Sequence, residues 1–161
     1  MAAEEEAPLH NSASDPRVIL IAVDASGNAP MVVNAGARLA RSFPMAAVHI
    51  VHVFRVSRFD RARAGSPTPP TDAIEDAKEH VDFHVRSGRK VCRNDVRGHF
   101  LVGDPVAEVT KLANELKADL LVLGTHDHSG LERFLLGSIA ETLMRQVRCS
   151  VFVIRPTPHR E

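Results

Sequence analysis

The stretch RVILIAVDASG, residues 17–27, has the pattern of a buried strand that ends in a polar turn. Residues 18–23 are apolar without alternation, which is typical of a central parallel strand, because helices cover both faces of such a strand. Asp24 ends the apolar run, and the apolar residues of 28–42 then recur at helical spacing. A strand that leads directly into a helix predicts a βα unit at the start of the fold.

The same alternation of strand and helix patterns continues along the rest of the chain. Short apolar runs alternate with longer stretches of helical periodicity, which predicts an α/β domain built around a parallel sheet. The predicted strands are 17–23, 47–54, 91–102, 120–123 and 151–154, and the predicted helices are 28–42, 71–88 (ended by Gly88), 106–116 (opened by Pro105) and one that begins at Ser138. The third strand is the least apolar of the five, so we expect it at an edge of the sheet.

Charge and hydropathy exclude several functional classes. Lys plus Arg (20) balance Asp plus Glu (20), so no long-range field draws nucleic acid or an anionic membrane to the protein. The longest apolar run, 18–23, is far shorter than the roughly 20 residues that span a bilayer. Acidic residues stand where a secretory signal would carry basic ones. We therefore expect a cytoplasmic protein with a disordered acidic tail at 1–15, one domain at 16–156 and a short tail at 157–161.

Two segments that follow predicted strands have a composition suited to binding phosphate. They are residues 24–27 and 124–130, and the second leads to Gly137 and Ser138 at a helix start. Ligands of parallel sheets bind at the carboxyl ends of strands, and the amides at a helix start stabilise a phosphate. The alternative is structural: the glycines are turn residues, and Ser138 forms a capping box with Glu141.

Four short segments match the pattern of a known family. They are Val23-Asp24-x-Ser26, His52-Val53, Val102-Gly103-Asp104-Pro105, and Leu123-Gly124-Thr125-His126 through Leu135-Leu136-Gly137-Ser138-Ile139-Ala140-Glu141. With them, the chain from 17 to 156 resembles the universal stress protein family. The resemblance implies a Rossmann-like α/β fold of the adenine nucleotide alpha hydrolase-like class, an open five-stranded parallel sheet of order 3-2-1-4-5 with helices on both faces. It also implies a homodimer formed through the last strand and a cytoplasmic role in stress or starvation.

The ATP-binding branch of that family has the pattern Gly-x2-Gly-x9-Gly-Ser/Thr. In this chain the pattern falls, with the right spacing, on Gly124, Asp127, Gly137 and Ser138. The resemblance implies that these residues surround the phosphates, that Asp24 lies near the ribose or a metal ion, and that the backbone of Val53 contacts adenine. The structural alternatives are that Asp24 caps the following helix and that Val53 belongs to the core.

Asp127 stands where the pattern has its second glycine. A carboxylate about 4 Å from a phosphate oxygen is repelled by roughly 4 kcal/mol at an effective dielectric near 20. Mg²⁺ would convert this repulsion into shared coordination, and Arg133 or a protonated His128 would offset it. The expected ligand is therefore ATP or a related adenine nucleotide, with or without Mg²⁺.

Nine histidines raise the question of a metal site. His80 and His84 are four residues apart on a predicted helix, so both rings lie on one face and could share a zinc ion with a nearby carboxylate. The sequence offers no clear third or fourth ligand, and structural zinc usually has four, so we expect two solvated histidines and no metal site. His49 and His52 alternate along a predicted strand and are expected on opposite faces.

Three functions of different class agree with these features. The first is a dimeric stress-response or signalling protein that binds adenine nucleotide. The second is a stress-response dimer that binds no nucleotide, because Asp127 closes the site, and that acts through protein partners. The third is a slow ATPase or a metal-dependent hydrolase. The chain has neither the Gly-x4-Gly-Lys-Ser/Thr motif nor a Gly-x-Ser-x-Gly elbow, so we expect a binding protein rather than an enzyme.

Overall fold

The computed structural model describes residues 15–55, 71–125 and 137–155. These residues form five strands and four helices, as the alternation of apolar runs predicts. In chain order they are β1 (Val18–Val23), α1 (Ala29–Ala40), β2 (Ala47–Phe54), α2 (Thr71–Val91), β3 (Val96–Val102), α3 (Pro105–Glu115), β4 (Leu120–Gly124), α4 (Ser138–Gln146) and β5 (Ser150–Ile154).

The five strands form one parallel sheet in the order β3-β2-β1-β4-β5. This order confirms the 3-2-1-4-5 arrangement and places β3 at an edge. β1 is central, with Ile21 opposite Ile50 of β2 and opposite Val122 of β4. The chain adds strands first on one side of β1 and then on the other, so the carboxyl ends of β1 and β4 form a topological switch point. Parallel sheets bind ligands at such points.

Two hydrophobic clusters hold helices to the two faces of the sheet. Ile19 and Ile21 pack with residues of α1 and α2, whereas Leu20 packs with residues of α3 and α4. All three side chains have no exposed surface, which confirms that β1 is buried on both faces. None of the described helices combines the length and the apolar character needed to cross a membrane.

Helix α2 continues past the glycine that was predicted to end it. The helix runs to Val91, so the prediction of a stop at Gly88 is wrong, and β3 begins at Val96 rather than at residue 91. Gly88 is buried against the sheet, where an added Cβ would lie 3.4 Å from a methyl group of Val96. The glycine is therefore used for close packing between helix and sheet, and its low helix propensity does not end the helix.

Helix α4 begins one residue earlier than a capping box formed by Ser138 and Glu141 would require. Gly137 is its N-cap and Ser138 its first helical residue, so the predicted capping box is wrong. The backbone N–H of Glu141 donates to the carbonyl of Gly137 at 3.0 Å, and the carboxylate of Glu141 accepts from Arg145 at 2.8 Å. Pro105 does open α3, as predicted, at a position that needs no amide donor.

Candidate functional site

The described site residues lie at the end of the sheet where ligands of parallel sheets bind. Asp24 follows β1 directly, Val53 is the second-last residue of β2, and Gly124 is the last residue of β4. Gly137 and Ser138 begin α4, which leads back to β5. Asp127 lies outside the described residues, so its place in the site stays a prediction. The fold therefore brings Asp24, Val53 and Gly124 to the carboxyl ends of neighbouring strands. Helix α4 begins on the same side of the sheet, because it connects the parallel strands β4 and β5.

The turn after β1 is organised by the carboxylate of Asp24. It accepts a hydrogen bond from the backbone N–H of Ser26 at 2.9 Å and another from the hydroxyl of the same residue. Ser26 Oγ in turn accepts from the backbone N–H of Asn28, the N-cap of α1, at 3.3 Å. Asp24 is therefore not the N-cap of the helix, and that alternative is wrong. Its exposed carboxylate is held in a fixed position at the end of the central strand.

Val53 lies where β2 extends beyond β1. The pairing between the two strands ends with Val23 opposite His52, and Val53 is the next residue of β2. On its other side Val53 pairs with Leu101 of β3. Its half-buried side chain packs against the cluster formed with α3 and α4. Val53 is thus partly core, while its main chain lies beside the switch point where the contact with adenine is predicted.

Gly124 and Gly137 are glycines for different reasons. A Cβ on Gly124 would lie 2.6 Å from a methyl group of Val32, so this glycine lets α1 approach β4 closely. Gly137 has φ −51° and ψ 147°, a conformation open to any residue, so its backbone does not require glycine. A close approach of a ligand to the backbone would explain Gly137, whereas packing already explains Gly124.

The start of α4 offers amide donors for an anion. The first N–H groups of a helix have no partner within it, and the helix dipole makes this end positive. Ser138 and Ile139, the first two residues of α4, are exposed, so the start of this helix lies at the protein surface. A phosphate placed here is stabilised without a cationic side chain.

A cluster of three histidines lies between β2 and α2, near the carboxyl end of β2. It consists of His52 from β2 with His80 and His84 from α2, and we call it the histidine cluster. His84 has no exposed surface, and its Nε2 lies 3.0 Å from Nε2 of His80. The rings of His52 and His80 meet edge to face, with centroids 5.8 Å apart. The prediction of two solvated histidines is wrong because α2 turns His84 toward the sheet.

Two members of the histidine cluster, His52 and His84, have lowered pKa values. Burial is the main cause that lowers the pKa of His84 to about 4, and the neighbouring His80 and His52 contribute to that shift because a second positive charge nearby is unfavourable. Burial is also the main cause that lowers the pKa of His52, although the carbonyl of Val23, 3.2 Å from its Nδ1, partly offsets that cause. The imidazoles of His52 and His84 are therefore neutral at pH 7.

Two further histidines, His49 and His99, lie on the face of the sheet opposite the histidine cluster. Nδ1 of His49 is 2.7 Å from Nε2 of His99, and the two rings stack with centroids 5.0 Å apart. His52 contacts α2 on the other face, which confirms that His49 and His52 cannot form one site. Burial is the main cause that lowers the pKa of both His49 and His99, and the positive charge of Arg97 lowers both further.

This pair predicts a loss of stability in acid. The folded-state pKa values of His49 and His99 lie below the ordinary value of 6.5, so the unfolded chain takes up protons first as the pH falls. The contribution of His49 and His99 to the free energy of unfolding is complete above about pH 6.5 and is lost progressively below that pH. We expect the free energy of unfolding in urea to fall less between pH 7.5 and pH 5 in His99→Gln than in the parent protein. Equal losses in the two proteins would contradict this prediction.

Residues 16–155 match the model of the Universal stress protein family. The universal stress protein MJ0531 of Methanocaldococcus jannaschii is 30% identical over 138 residues, which cover 85% of this chain and 81% of that protein. Two solved structures confirm the fold. A universal stress protein in complex with cAMP has a TM-score of 0.69 at 21% identity, covering 88% of this chain and 98% of its own. The universal stress protein from Archaeoglobus fulgidus in complex with dAMP has a TM-score of 0.64 at 24% identity, covering 85% and 96%.

Proposed function

Because this chain belongs to the universal stress protein family, we propose that it binds ATP or a related adenine nucleotide and acts as a dimeric stress-response or signalling protein. The observation that carries this proposal is that the Asp24 turn and the end of β2 lie at the carboxyl ends of adjacent parallel strands, and that α4 begins on the same side of the sheet. Two proteins with a similar fold are complexes with adenine nucleotides, cAMP and dAMP. Their ligands support the ligand class proposed for this chain.

The proposed contacts follow the polarity of the site. The main chain at Val53 binds the adenine edge, and the carboxylate of Asp24 binds the ribose hydroxyls or a metal ion. The amides at Gly137 and Ser138 stabilise the phosphates, because they are donors at the positive end of α4. Gly124 keeps α1 close to β4, which shapes the wall of the site on that side.

Mg²⁺ is the proposed companion of the nucleotide. The site has one carboxylate at Asp24, and the sequence pattern places a second one, Asp127, next to the phosphates. Two carboxylates near a polyanion are unfavourable unless a cation lies between them. Mg²⁺ binds carboxylate and phosphate oxygens together, so it would turn this repulsion into coordination.

We propose a binding role rather than an enzymatic one. The sequence lacks the lysine of Gly-x4-Gly-Lys-Ser/Thr, which contacts the β- and γ-phosphates in P-loop enzymes. In the described part of the site, the hydroxyl of Ser26 donates to the carboxylate of Asp24, where it helps to hold the turn. We propose that any hydrolysis of ATP is slow compared with the exchange of nucleotide.

The exposed edge of the sheet supports a homodimer. Strand β5 pairs with β4 on one side and lies at the edge of the described sheet. Phe152, in the middle of this strand, is 44% exposed. An open strand edge that carries an exposed aromatic side chain favours association with another chain. We propose that a second copy of the protein covers it.

Extraction with acid and calorimetry test the nucleotide proposal. We expect adenine nucleotide in the acid extract of the purified protein, or binding of ATP with Mg²⁺ when the protein is isolated empty. In EDTA, Asp127→Gly should bind ATP at least about tenfold more tightly, since a repulsion between about 1 kcal/mol in bulk water and about 4 kcal/mol at an effective dielectric near 20 is removed. With Mg²⁺ the same variant should lose part of this advantage, because the cation loses a ligand.

Two results would contradict the proposal in different ways. If the extract contains no nucleotide and ATP at millimolar concentration gives no heat with or without Mg²⁺, nucleotide binding is wrong. The dimer that acts through protein partners is then the better description, and the Asp at position 127 favours it. If ATP binds but Asp127→Gly leaves its affinity unchanged in both conditions, Asp127 lies outside the site.

A further inference from the structure

The histidine cluster has the features of a metal site that the nucleotide does not use. We propose that His80 and His84, with His52 as third ligand, bind a divalent transition-metal cation of the Zn²⁺, Ni²⁺ or Cu²⁺ class. Imidazole nitrogen is a favoured ligand of these ions. The site lies between β2 and α2, and the proposal does not depend on nucleotide binding.

Two ring nitrogens of the cluster already have the spacing of metal ligands. Nε2 of His80 and Nε2 of His84 lie 3.0 Å apart. Two nitrogens bound to one ion, each at about 2.0–2.1 Å, are separated by about 2.9 Å at a right angle and about 3.4 Å at a tetrahedral angle. The helix therefore already holds this pair at the spacing of two ligands of one ion. In the metal-free protein one of these nitrogens donates its proton to the other, and on metal binding that ring would carry the proton on Nδ1 instead, so that both Nε2 lone pairs face the ion.

His52 has a nitrogen lone pair that could bind the same ion. Its Nδ1 lies 3.2 Å from the carbonyl oxygen of Val23, which can only accept, so Nδ1 holds the proton and Nε2 keeps its lone pair. A backbone carbonyl in this role is common behind metal-binding histidines, because it orients the ring. In the described parts of the chain no three ligating side chains yet surround one point. His52, whose ring centroid is 5.8 Å from that of His80, must therefore move closer to the other two rings to complete the site, with its Nδ1 still bonded to the carbonyl of Val23.

The burial of His84 has an energetic cost that a bound metal ion would explain. The side chain has no exposed surface, yet its Nδ1 has no hydrogen-bond partner among the described residues. An unpaired buried polar atom costs about 1–3 kcal/mol, and an apolar side chain would fill the same space without that cost. A bound cation at Nε2 would explain why a histidine is kept here.

The outer face of α2 provides a path to the cluster. An open pocket ends at His80 and is lined by Asp76, Glu79, His80, Asp82, Phe83 and Arg86. Three of these side chains are carboxylates, which attract a cation toward the ring of His80. Asp76 lies one turn before His80 on the same stripe of the helix as His84, so its carboxylate is the nearest candidate on that stripe for a further ligand.

Titration of the full-length chain with Zn²⁺ and Cu²⁺ after treatment with EDTA tests the site. We expect the parent protein to bind one equivalent that His80→Gln loses or binds at least tenfold more weakly. His99→Gln is the matched control, because it removes one histidine of the pair on the opposite face and should bind like the parent. His52→Gln should weaken binding less than His80→Gln does. Bound Cu²⁺ should show coupling to imidazole nitrogens in its electron paramagnetic resonance spectrum.

Three outcomes would overturn the metal site. They are no binding of either ion to the parent, parent-like binding by His80→Gln, and an equal loss in His80→Gln and His99→Gln. His80 is partly exposed and should be replaced without unfolding the chain, whereas the buried His84 is a poorer choice for the test. ATP titration of His80→Gln separates the two proposals, since we expect nucleotide binding to be retained when the metal is lost.

Discussion

Gly137→Val is expected to weaken the binding of ATP by about 100-fold or more while the protein stays folded. The backbone of Gly137 has φ −51° and ψ 147°, which valine adopts without strain. The new side chain would instead stand between the phosphates and the first amides of α4. Hydrogen bonds to charged groups contribute about 1.5–3 kcal/mol each, so losing two accounts for an effect of this size. Calorimetric titration with ATP and Mg²⁺ measures it.

A smaller side chain at the same position provides the control. Gly137→Ala should have an intermediate affinity for ATP, since a single methyl group obstructs the amides less. Thermal unfolding without ligand should show both variants folded, because the loss of a glycine N-cap costs at most about 1 kcal/mol. Full affinity in Gly137→Val would show that the phosphates do not approach the start of α4.

Gly36→Val is expected to lower the free energy of unfolding by about 3 kcal/mol. A Cβ at Gly36 would lie 2.6 Å from Cδ1 of Ile21 and 3.0 Å from its Cγ1. Ile21 is completely buried in the middle of β1, so it has no free space into which to move. Overpacking of this kind typically costs about 1–3 kcal/mol, while valine recovers only a few tenths through its better helix propensity. Urea unfolding measures the change.

Gly27→Val is the matched control for this packing effect. A Cβ at Gly27 meets no described atom within 4 Å, so the same change of residue should alter stability by less than about 0.5 kcal/mol. If Gly36→Val unfolds at the same urea concentration as Gly27→Val, α1 can move away from β1 without penalty. The close contact between α1 and the sheet would then not be a major source of stability.

The strands could be predicted from local pattern, and the ends of helices less well. Strand β2 was predicted at 47–54 and is observed at Ala47–Phe54, because its apolar run follows Pro44, which ends the preceding helical segment, and stops before Arg55. Gly88 looked like a stop, but α2 continues through it, since close packing against β3 outweighs the low helix propensity of glycine. Ser138 and Glu141 have the spacing of a capping box, yet the helix starts with Gly137 as N-cap.

The candidate site was partly predictable, because the ends of apolar runs locate the ends of strands. Asp24 and Gly124 come directly after or at the ends of apolar runs, so their location at the carboxyl ends of strands follows from sequence. The packing of Val32 against Gly124 was not predictable, because it depends on which face α1 turns toward β4. The sequence pattern assigned Gly124 and Gly137 one common role. The structure gives Gly124 a packing role of its own.

The sequence by itself determined the α/β alternation, the central position expected for a strand that is apolar on both faces, and the spacing of the phosphate pattern. These features depend on neighbouring residues, so they can be read locally. Only the tertiary structure decided that His52 meets His80 and His84, and that His49 meets His99. Such contacts join residues far apart in the chain, and they arise from strand register and from the face that each helix turns to the sheet, neither of which a local pattern encodes.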